Sequence, residues 1–498
     1  MDVVQLTLEA CALVFTPLPL ILLFCGVLFG TLLGALPGLG SILALTVCLP
    51  FTLMLDHIPA FALMLGTYVG SLYGGSIASI LINVPGTPQA AATNLDGYPM
   101  ALAGKAAEAL GWVTVSAVAG GIFSCFVLAA AAGPLAHLSN KYAGPLEICA
   151  LIAMGLACIT TLSEGNLIKG LFSGLFGVLL STVGMDPISS ELRFTFGFMS
   201  VASGIDMLPF IIGLFPLSEV FHRIYEIYTL PDYVIIQCHK IRFPSLREWF
   251  ARKWVTLRSA VIGTFIGILP GTGASPAAFI SYSMAREASS HPEDFGKGAV
   301  ENAVTGGAMV PTLALGIPGD AETTLILATL TIHQITPGVR LMLDNPVMVH
   351  SIFFLLLIAY IMLTVAAIIM VRSFGRLIRL PNAVLLGLII VFSMLGAFIA
   401  RNNYFDLLIA LAVGLVAFGF RLGNFPLAPA LVSFILAPQF EYRYSQVAIY
   451  RADTPWPVYL ADHPLACIFL VVVLFLLIRP VVKSVRKWRE VLSHHNAP

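Results

Sequence analysis

The eleven residues GTLLGALPGLG at 30–40 decide how this chain folds, because they return as GTFIGILPGTG at 263–273. Seven of the eleven positions are identical at an offset of 233 residues, and the same offset carries the Pro-Gly pair at 85–86 onto the pair at 318–319. A repeat at one fixed spacing is the signature of duplicated structural units. The sequence therefore predicts two related halves, each with two Pro-Gly breaks.

The sequence around these breaks is almost wholly apolar. Of the 498 residues, 58% are hydrophobic and 10% are charged, against roughly 25% charged residues in soluble domains. The formal net charge is zero, so no basic excess exists to neutralise the phosphates of a nucleic acid. We expect an all-α polytopic membrane protein with about 11 to 13 transmembrane helices, some of them broken or re-entrant, and no nucleic acid partner.

The basic residues predict how the chain is oriented. Seven of them fall between Arg223 and Arg258, in the only long polar stretch, and cytoplasmic loops collect Lys and Arg. Another cluster between Arg479 and Arg489 predicts a cytoplasmic C-terminus, whereas the absence of Lys and Arg before Lys105 favours an external N-terminus and no cleaved targeting peptide. With this topology the matching breaks enter from opposite faces, so we expect the inverted repeats of many secondary transporters.

This orientation divides the chain into five segments. They are a first membrane repeat half at 1–222, a basic cytoplasmic connecting loop at 223–258, a second membrane repeat half at 259–437, an interfacial loop rich in Tyr and Trp at 438–463, and a C-terminal transmembrane helix with a basic cytoplasmic tail at 464–498.

Glycines recur every four residues in three of the apolar runs, at 26–38, 66–74 and 263–271. Residues spaced in this way share one face of a helix. Small faces let helices approach closely in lipid, where packing drives association. The pattern predicts tight helix contacts and favours a position inside the bundle for the broken elements.

The break at Pro37 and Gly38 has a direct physical consequence. Proline lacks an N–H and glycine admits unusual backbone angles, so the helix opens there. Freed backbone groups cannot face lipid and must be buried in protein or line a polar cavity. Ser41, and Thr272 with Ser275 in the second half, are candidate N-caps for helices that restart beyond the breaks, whose N-termini favour an anion.

The second pair of breaks differs between the halves. The first half has Asn83 and Thr87 around its Pro-Gly pair, whereas the second half has Asp320. An ionisable group beside an apolar membrane run is a functional candidate by default. We therefore expect Asp320, with Asn83, to serve ion coupling through Na⁺ or H⁺; the alternative is that Asp320 only caps a helix.

These motifs together resemble the large membrane subunit of the tripartite tricarboxylate transporters, the TctA family, from about residue 18 to about residue 478. The stretches that carry the resemblance are GTLLGALPGLG from Gly30, YGGSIASILINVPGTP from Tyr73, LDGYPMALAGKAAEALG from Leu95, DPISSELRFTFG from Asp186, PGTGAS from Pro270, EDFGKGAVE from Glu293 and LALGIPGD from Leu313. The resemblance implies a multi-pass permease of the bacterial inner membrane. It also implies carboxylate import on an ion gradient with a small integral membrane subunit and a periplasmic solute-binding protein.

The candidate solute site combines the residues carried over from the family motifs with the candidate caps. They are Pro37, Gly38, Gly40, Ser41, Asn83, Pro85, Gly86, Thr87, Pro270, Gly271, Thr272, Gly273, Ser275, Pro318 and Gly319. We expect no cofactor and no metal other than Na⁺ as a coupling ion. The sequence departs from the family pattern between Gly298 and Gly306, where a longer acidic, Asn-rich piece is expected, and this shortening predicts an altered substrate range or loss of transport.

Other functions fit the sequence less well. An intramembrane aspartic protease needs a second carboxylate in its motif, and a serine hydrolase needs a GxSxG nucleophile; neither pattern occurs, so we do not expect an enzyme. A passive anion channel remains an alternative because broken helices also build pores. A non-transporting assembly subunit, which would bind partners and lipid only, is the other alternative.

Overall fold

The protein is described here from a computed structural model. The structure describes residues 3–36, 39–142, 144–161, 167–186, 189–226, 236, 238, 240–268, 274–287, 309, 312–313, 316–377, 382–399, 401–452 and 454–475. Its chain divides into two compact units, unit 1 with residues 1–137 and 206–418, and unit 2 with residues 138–205 and 419–498. Both repeats contribute to unit 1, so the repeat halves do not form separate compact bodies.

Helices account for nearly all of the regular structure in the described residues. In the first part of the chain they are α1 (Val3–Val14), α2 (Pro17–Ala35), α3 (Gly40–Thr52), α4 (His57–Ile82), a 3₁₀ turn (Pro88–Ala90), α5 (Ala91–Leu102), α6 (Ala106–Tyr142), α7 (Pro145–Thr161), α8 (Leu167–Ser181), a second 3₁₀ turn (Met199–Val201), α9 (Met207–Ile212) and α10 (Ser218–Glu226), the last two joined by a π-helical turn (Gly213–Leu217).

The second part of the chain continues the all-helical pattern. Its helices are α11 (Leu246–Ala251), α12 (Lys253–Ile268), α13 (Ala274–Glu287), α14 (Ala321–Ile332), α15 (Val339–Asp344), α16 (Pro346–Leu377), α17 (Asn382–Ile399), α18 (Tyr404–Leu422), α19 (Ala428–Arg451), α20 (Trp456–Ala461) and α21 (Pro464–Phe475). Within the described residues, six helices are long and apolar enough to cross a membrane, and seven shorter ones are apolar. The all-α polytopic fold expected from the sequence is therefore confirmed.

The boundaries of the helices follow the sequence repeat. Two pairs of described helix starts lie 233 residues apart, namely Pro88 with Ala321 and Ala106 with Val339. The first pair restarts a helix after a Pro-Gly break. The same local chemistry therefore produces the same restart after the second break of each half.

The glycine pattern of the first half packs α2 directly against α4. A Cβ added to Gly26, Gly30 or Gly34 would overlap a backbone carbonyl of α4, and glycines of α4 meet α2 in the same way. The reciprocal contacts of α4 are Gly66 on Leu23, Gly70 on Val27 and Gly74 on Thr31. Every residue of α4 from Pro59 to Ile82 is buried. The predicted close packing is confirmed, and it places the helix that leads into the second break at the centre of unit 1.

Unit 2 is organised around α19, which packs on α7 and α8. A two-stranded hairpin pairs β1 (Gly184–Met185) with β2 (Leu192–Arg193), and no sequence pattern had predicted it. Arg193 joins this hairpin to α19, because its guanidinium lies 2.7 Å from Asp186 Oδ2 and 2.6 Å from Glu441 Oε1. Glu147 of α7, almost fully buried, lies 2.6 Å from His463 Nδ1.

The segment at 438–463 is helical for most of its length and not the loop expected, whereas its position at an interface stays a prediction. α19 continues through Pro438 to Arg451, and α20 covers Trp456–Ala461. Phe440 and Tyr444 lie four residues apart and stack with 6.2 Å between ring centroids. Aromatic residues at this spacing share a helix face, so these two side chains belong to one surface of α19.

The connecting segment ends in a short helix with a complete capping box. Ser245 Oγ accepts a hydrogen bond from Glu248 N, while Glu248 Oε2 accepts from Ser245 N at 2.7 Å. Upstream, Arg242 N donates to the carbonyl of Ala107 at 2.8 Å, which fixes the segment to the start of α6. These contacts fix where α11 begins and how the described part of the basic segment approaches the bundle.

The capping box makes α11 sensitive to acid. Hydrogen bonds from Ser245 lower the pKa of Glu248 below its ordinary value of 4.5. A lowered folded-state pKa contributes stability that is fully present above the ordinary pKa and is lost as pH falls through the lowered value. We expect the ¹⁹F signal of fluorotryptophan-labelled Trp249, assigned with Trp249→Phe, to report fraying of α11 only below pH 4.5. An identical acid transition in Glu248→Gln, which keeps the box without a charge, would contradict this assignment.

Candidate functional site

The first break separates α2 from α3. α2 ends at Ala35, and α3 starts at Gly40, whose φ of +70° lies in the left-handed region that glycine tolerates best. Ser41 was expected to cap this helix, and that expectation was wrong. The helix begins at Gly40, two residues earlier than a Ser41 cap would require, so Ser41 lies in its first turn. Leu39 is the N-cap, and its apolar side chain makes no cap hydrogen bond.

The second break lies directly beside the first. α4 ends at Asn83, which adopts a left-handed φ of 61° as the C-cap, a conformation that asparagine tolerates. A Cβ on Gly86 would overlap the carbonyl of Gly34, and the position of a Cβ on Gly40 is 3.4 Å from the Gly86 carbonyl oxygen. The second break therefore packs on the glycine face of α2, and the two breaks of the first repeat lie next to each other.

Thr87 places a buried hydroxyl at these two breaks. Its side chain is 3% exposed, and its Oγ1 has no hydrogen-bond partner among the described residues. The hydroxyl fits because α4 has a glycine at 75, where an added Cβ would lie 2.5 Å from Thr87 Oγ1. Buried hydroxyls are normally hydrogen-bonded, so an unpaired one invites a ligand or water. Thr87 also precedes a helical turn that no side chain caps.

The fourth break contains the acidic part of the site. Gly316, with φ of +73°, begins a fully buried turn that runs through Pro318 and Gly319. Asp320 is the N-cap of α14: its Oδ1 accepts from Thr323 N at 2.7 Å, and its own N donates to Thr323 Oγ1 at 3.0 Å. The capping alternative is thus correct for one carboxylate oxygen. The other, Oδ2, is buried without a partner among the described residues.

Glu322 connects this break to the first repeat. Ser41 Oγ donates a hydrogen bond of 2.5 Å to Glu322 Oε1, and the two residues are 2% and 4% exposed. The Tyr68 side chain of α4 is also buried and lies within electrostatic range of both Asp320 and Glu322. Asp320 and Glu322 are therefore both buried beside the helix breaks, and the Ser41 hydroxyl links Glu322 to α3.

The helix that follows the third break also reaches this region. α13 begins at Ala274 and contacts both α5 and the 3₁₀ turn at Pro88–Ala90. Ser275 was expected to cap it, but Ser275 is the second residue of the helix, so this expectation was wrong as well. Thr272 and the rest of the third break, from Pro270 to Gly273, lie outside the described residues.

The two repeats present unlike electrostatics at their helix starts. In the first repeat, α3 and the 3₁₀ turn after Thr87 start without a side-chain cap, so their amides keep the partial positive charge of a helix N-terminus. In the second repeat, the start of α14 is capped by Asp320 and carries Glu322 in its first turn. The two starts of the first repeat favour an anion, whereas the start of α14 in the second repeat favours a cation or a proton.

Comparison with known proteins shows to which family the chain belongs. Residues 20–432 match the profile described as the Tripartite tricarboxylate transporter TctA family. The chain belongs to this family. It is therefore a multi-pass membrane protein of a transport family, and the four Pro-Gly breaks all lie inside the matched region.

Two bacterial proteins show how far the similarity extends. The uncharacterized 52.8 kDa protein in the TAR-I ttuC' 3' region of Agrobacterium vitis is 32% identical over 487 residues, which covers 95% of each chain. The uncharacterized protein in the TAR-II ttuC' 3' region of the same organism is 28% identical over 239 residues, 46% of this chain and 97% of its own length. No solved structure matches the chain.

The structure describes many of the TctA-family residues singled out in the sequence. Ser41, Gly86, Thr87 and the turn at 318–320 are buried in unit 1, and Gly40 is half-buried. Asn83 and Pro85 are exposed, and the carbonyl of Asn83 accepts from Asn94 Nδ2 at 3.4 Å. Pro37, Gly38 and the segment between Gly298 and Gly306 lie outside the described residues.

Some residues of the site gave little warning in the sequence. Gly75 and Tyr68 both lie in the apolar run of α4, where neither stood out from the glycine repeat around them. Thr312 is another, because its Oγ1 accepts from Gly319 N at 3.3 Å and so supports the fourth break. For Tyr68 the available signal was a hydroxyl-bearing side chain within an apolar run, because core and lipid-facing positions seldom need a hydroxyl.

Proposed function

We propose that this TctA-family chain is the permease subunit of a secondary transporter that imports carboxylates on a Na⁺ or H⁺ gradient. The observation that carries the proposal is the contact between Ser41 and Glu322, which joins an uncapped helix start to a buried acidic pair. A carboxylate solute fits the uncapped starts and the Thr87 hydroxyl. A cation or proton fits Asp320 and Glu322, so solute and coupling ion would bind in neighbouring places.

Coupling follows from this arrangement by charge. An anion held at the helix starts stabilises a cation or proton at the nearby carboxylates, and the reverse is equally true by linkage. When solute and coupling ion cross the membrane together, less net charge moves through the low-dielectric centre than when either species crosses alone. We propose inverted repeats as the frame of this movement, supported by the offset of 233 residues and the distribution of basic residues.

The assembly is part of the same proposal. Family membership supports a small integral membrane subunit and a periplasmic solute-binding protein as partners. It also supports a bacterial inner-membrane location, and the basic cluster at 479–489 supports a cytoplasmic C-terminus. No catalytic residue is part of this proposal, because transport requires binding and movement alone.

Proteoliposomes with the purified chain and both proposed partners test the function. Uptake of acetate, succinate and citrate is measured while the Na⁺ and proton gradients are set independently. We expect uptake of at least one carboxylate to stop when one of the two gradients is dissipated by an ionophore. Uptake that does not depend on either gradient would contradict a carrier and support a passive channel. Absence of uptake in the complete assembly would favour a non-transporting subunit.

Thr87→Val tests the hydroxyl at the uncapped helix start. Valine matches threonine in shape, and Oγ1 has no partner to lose within the described structure, so the melting temperature should stay the same or rise. Loss of one hydrogen bond to a charged solute should raise the half-saturating concentration by roughly 10-fold. Thr46→Val is the matched control, since the Thr46 hydroxyl bonds only to its own helix at the carbonyl of Ile42. Equal uptake kinetics in both variants would remove Thr87 from the site.

A further inference from the structure

A large apolar cavity lies on unit 1, apart from the helix breaks. Its volume is about 720 Å³, within the range of small-molecule sites. It is lined by residues of α6 that include Val118, Ile122 and Phe126, by residues of α12 that include Leu257 and Ala260, and by Thr364 of α16. The proposed transport mechanism uses none of these residues.

The length of the cavity matches one leaflet of a bilayer. Along α6 it extends from Thr114 to Phe126, which at a rise of about 1.5 Å per residue is roughly 18 Å. Half of a hydrocarbon core is about 15 Å thick. A transmembrane helix from a partner would need a groove through the whole core, whereas a lipid acyl chain needs one leaflet. The dimensions favour an acyl chain.

The end of the cavity near the start of α12 has a different chemistry. Trp249, Lys253 and Trp254 line it there, and the guanidinium of Arg252 lies 4.9 Å from the ring centroid of Trp112. Aromatic and basic side chains are typical of the level of lipid headgroups. The Nε1 of Trp249 is buried and has no acceptor among the described residues.

The charge around this end is strongly one-sided. Between residues 240 and 258 the sequence has six basic residues and one acidic residue, Glu248. Glu248 is engaged in the capping box of α11 and lies within electrostatic range of Arg252, and Glu108 of α6 lies 3.7 Å from Arg242. These two carboxylates offset part of the positive charge, and an excess of basic residues remains. Basic pockets beside transmembrane helices recognise anionic headgroups, and each Lys or Arg near the surface contributes measurably to that affinity.

We propose that this cavity binds one anionic glycerophospholipid. An acyl chain lies between α6 and α12, and the phosphate lies at Lys253 and Arg252. The bound lipid fills a space between α6 of the first repeat and α12, the helix in which the second repeat begins. It also holds α11 and the basic segment at the membrane surface.

Native mass spectrometry of the delipidated full chain tests the proposal. Phosphatidylglycerol and phosphatidylcholine with the same acyl chains are titrated separately. We expect one phosphatidylglycerol to bind at least about 10-fold more tightly than phosphatidylcholine, with a rise in melting temperature. Equal affinities, or binding of neither lipid, would overturn the proposal.

Two variants separate the headgroup from the chain. Lys253→Gln with Arg252→Gln should abolish the preference for phosphatidylglycerol while leaving weak binding of both lipids. Val118→Trp should fill the cavity and remove binding of both. The matched controls are Arg372→Gln with Arg376→Gln, which changes two exposed basic residues on α16, and Leu388→Trp, which adds a ring to an exposed position of α17.

The controls and the rival occupant complete the test. Loss of the lipid preference in the α16 control would mean that general surface charge causes it, and would overturn the proposal. A cavity filled by an apolar helix of a partner would show no lipid preference, and Val118→Trp would instead prevent co-purification of that partner; this result also overturns it. Because the measurement is lipid binding, its outcome is independent of whether the chain transports carboxylates.

Discussion

Glu322→Gln is expected to abolish gradient-driven uptake while the protein still folds and inserts. Glutamine keeps an oxygen that can accept from Ser41, so the hydrogen bond of 2.5 Å is replaced and only the charge is removed. If that charge binds the coupling cation or proton, the loss of uptake should exceed about 100-fold, equivalent to roughly 2.7 kcal/mol. Asp320→Asn should behave similarly, because asparagine caps a helix as well as aspartate does.

The measurement is initial uptake in proteoliposomes, with the amount of folded protein matched by gel filtration. Asp406→Asn serves as the control, because Asp406 is another buried carboxylate, 1% exposed, in the first turn of α18. It should retain uptake within about twofold of the parent, since the proposal gives it no role. If Glu322→Gln and Asp320→Asn also remain within that range, the acidic pair has no coupling role and the two residues are structural.

Gly70→Ala should strongly destabilise the protein, although alanine is the better helix former. The added Cβ would overlap the carbonyl of Val27 and force α2 away from α4. Overpacking typically costs about 1–3 kcal/mol, and here the obstacle is backbone rather than a side chain that can rotate. The expected result is a large fall in the melting temperature in detergent, or loss of the monodisperse protein.

Gly387→Ala provides a control of opposite sign. It lies in α17, and nothing lies within 4 Å of an added Cβ. Alanine loses less backbone entropy than glycine on entering a helix, so the free energy of unfolding should stay unchanged or rise by up to about 1 kcal/mol. Equal melting temperatures for the two variants would mean that α2 and α4 are not in the close contact described, and the first and second breaks would then have no common support.

The features that the sequence predicted well are those with a local cause. Pro-Gly pairs end helices wherever they occur, so the interruptions after Ala35 and before Ala321 follow from the chain itself. Glycines every four residues require close packing whatever the partner, and the partner of α2 proved to be α4. In both cases a short stretch determines the geometry before any tertiary contact is known.

The features that the sequence did not predict depend on distant partners. Ser41 looked like a helix cap because serine commonly is one, yet its actual partner is Glu322, 281 residues away. The helix start decides this outcome, because α3 begins two residues earlier than a Ser41 cap would require and Ser41 therefore lies in its first turn. In the same way, the aromatic composition near Tyr444 did not reveal a helix, because α19 is supported by its packing on the distant helices α7 and α8.

Hydrogen exchange with and without bound carboxylate tests most directly whether the breaks form one site. The carboxylate is whichever of acetate, succinate and citrate binds the detergent-solubilised chain by calorimetry. The account predicts slower exchange at residues 39–42, 86–89 and 318–322 together, with no change in α19. Measurable binding that protects none of these segments, or only one of them, would contradict a shared site for the solute.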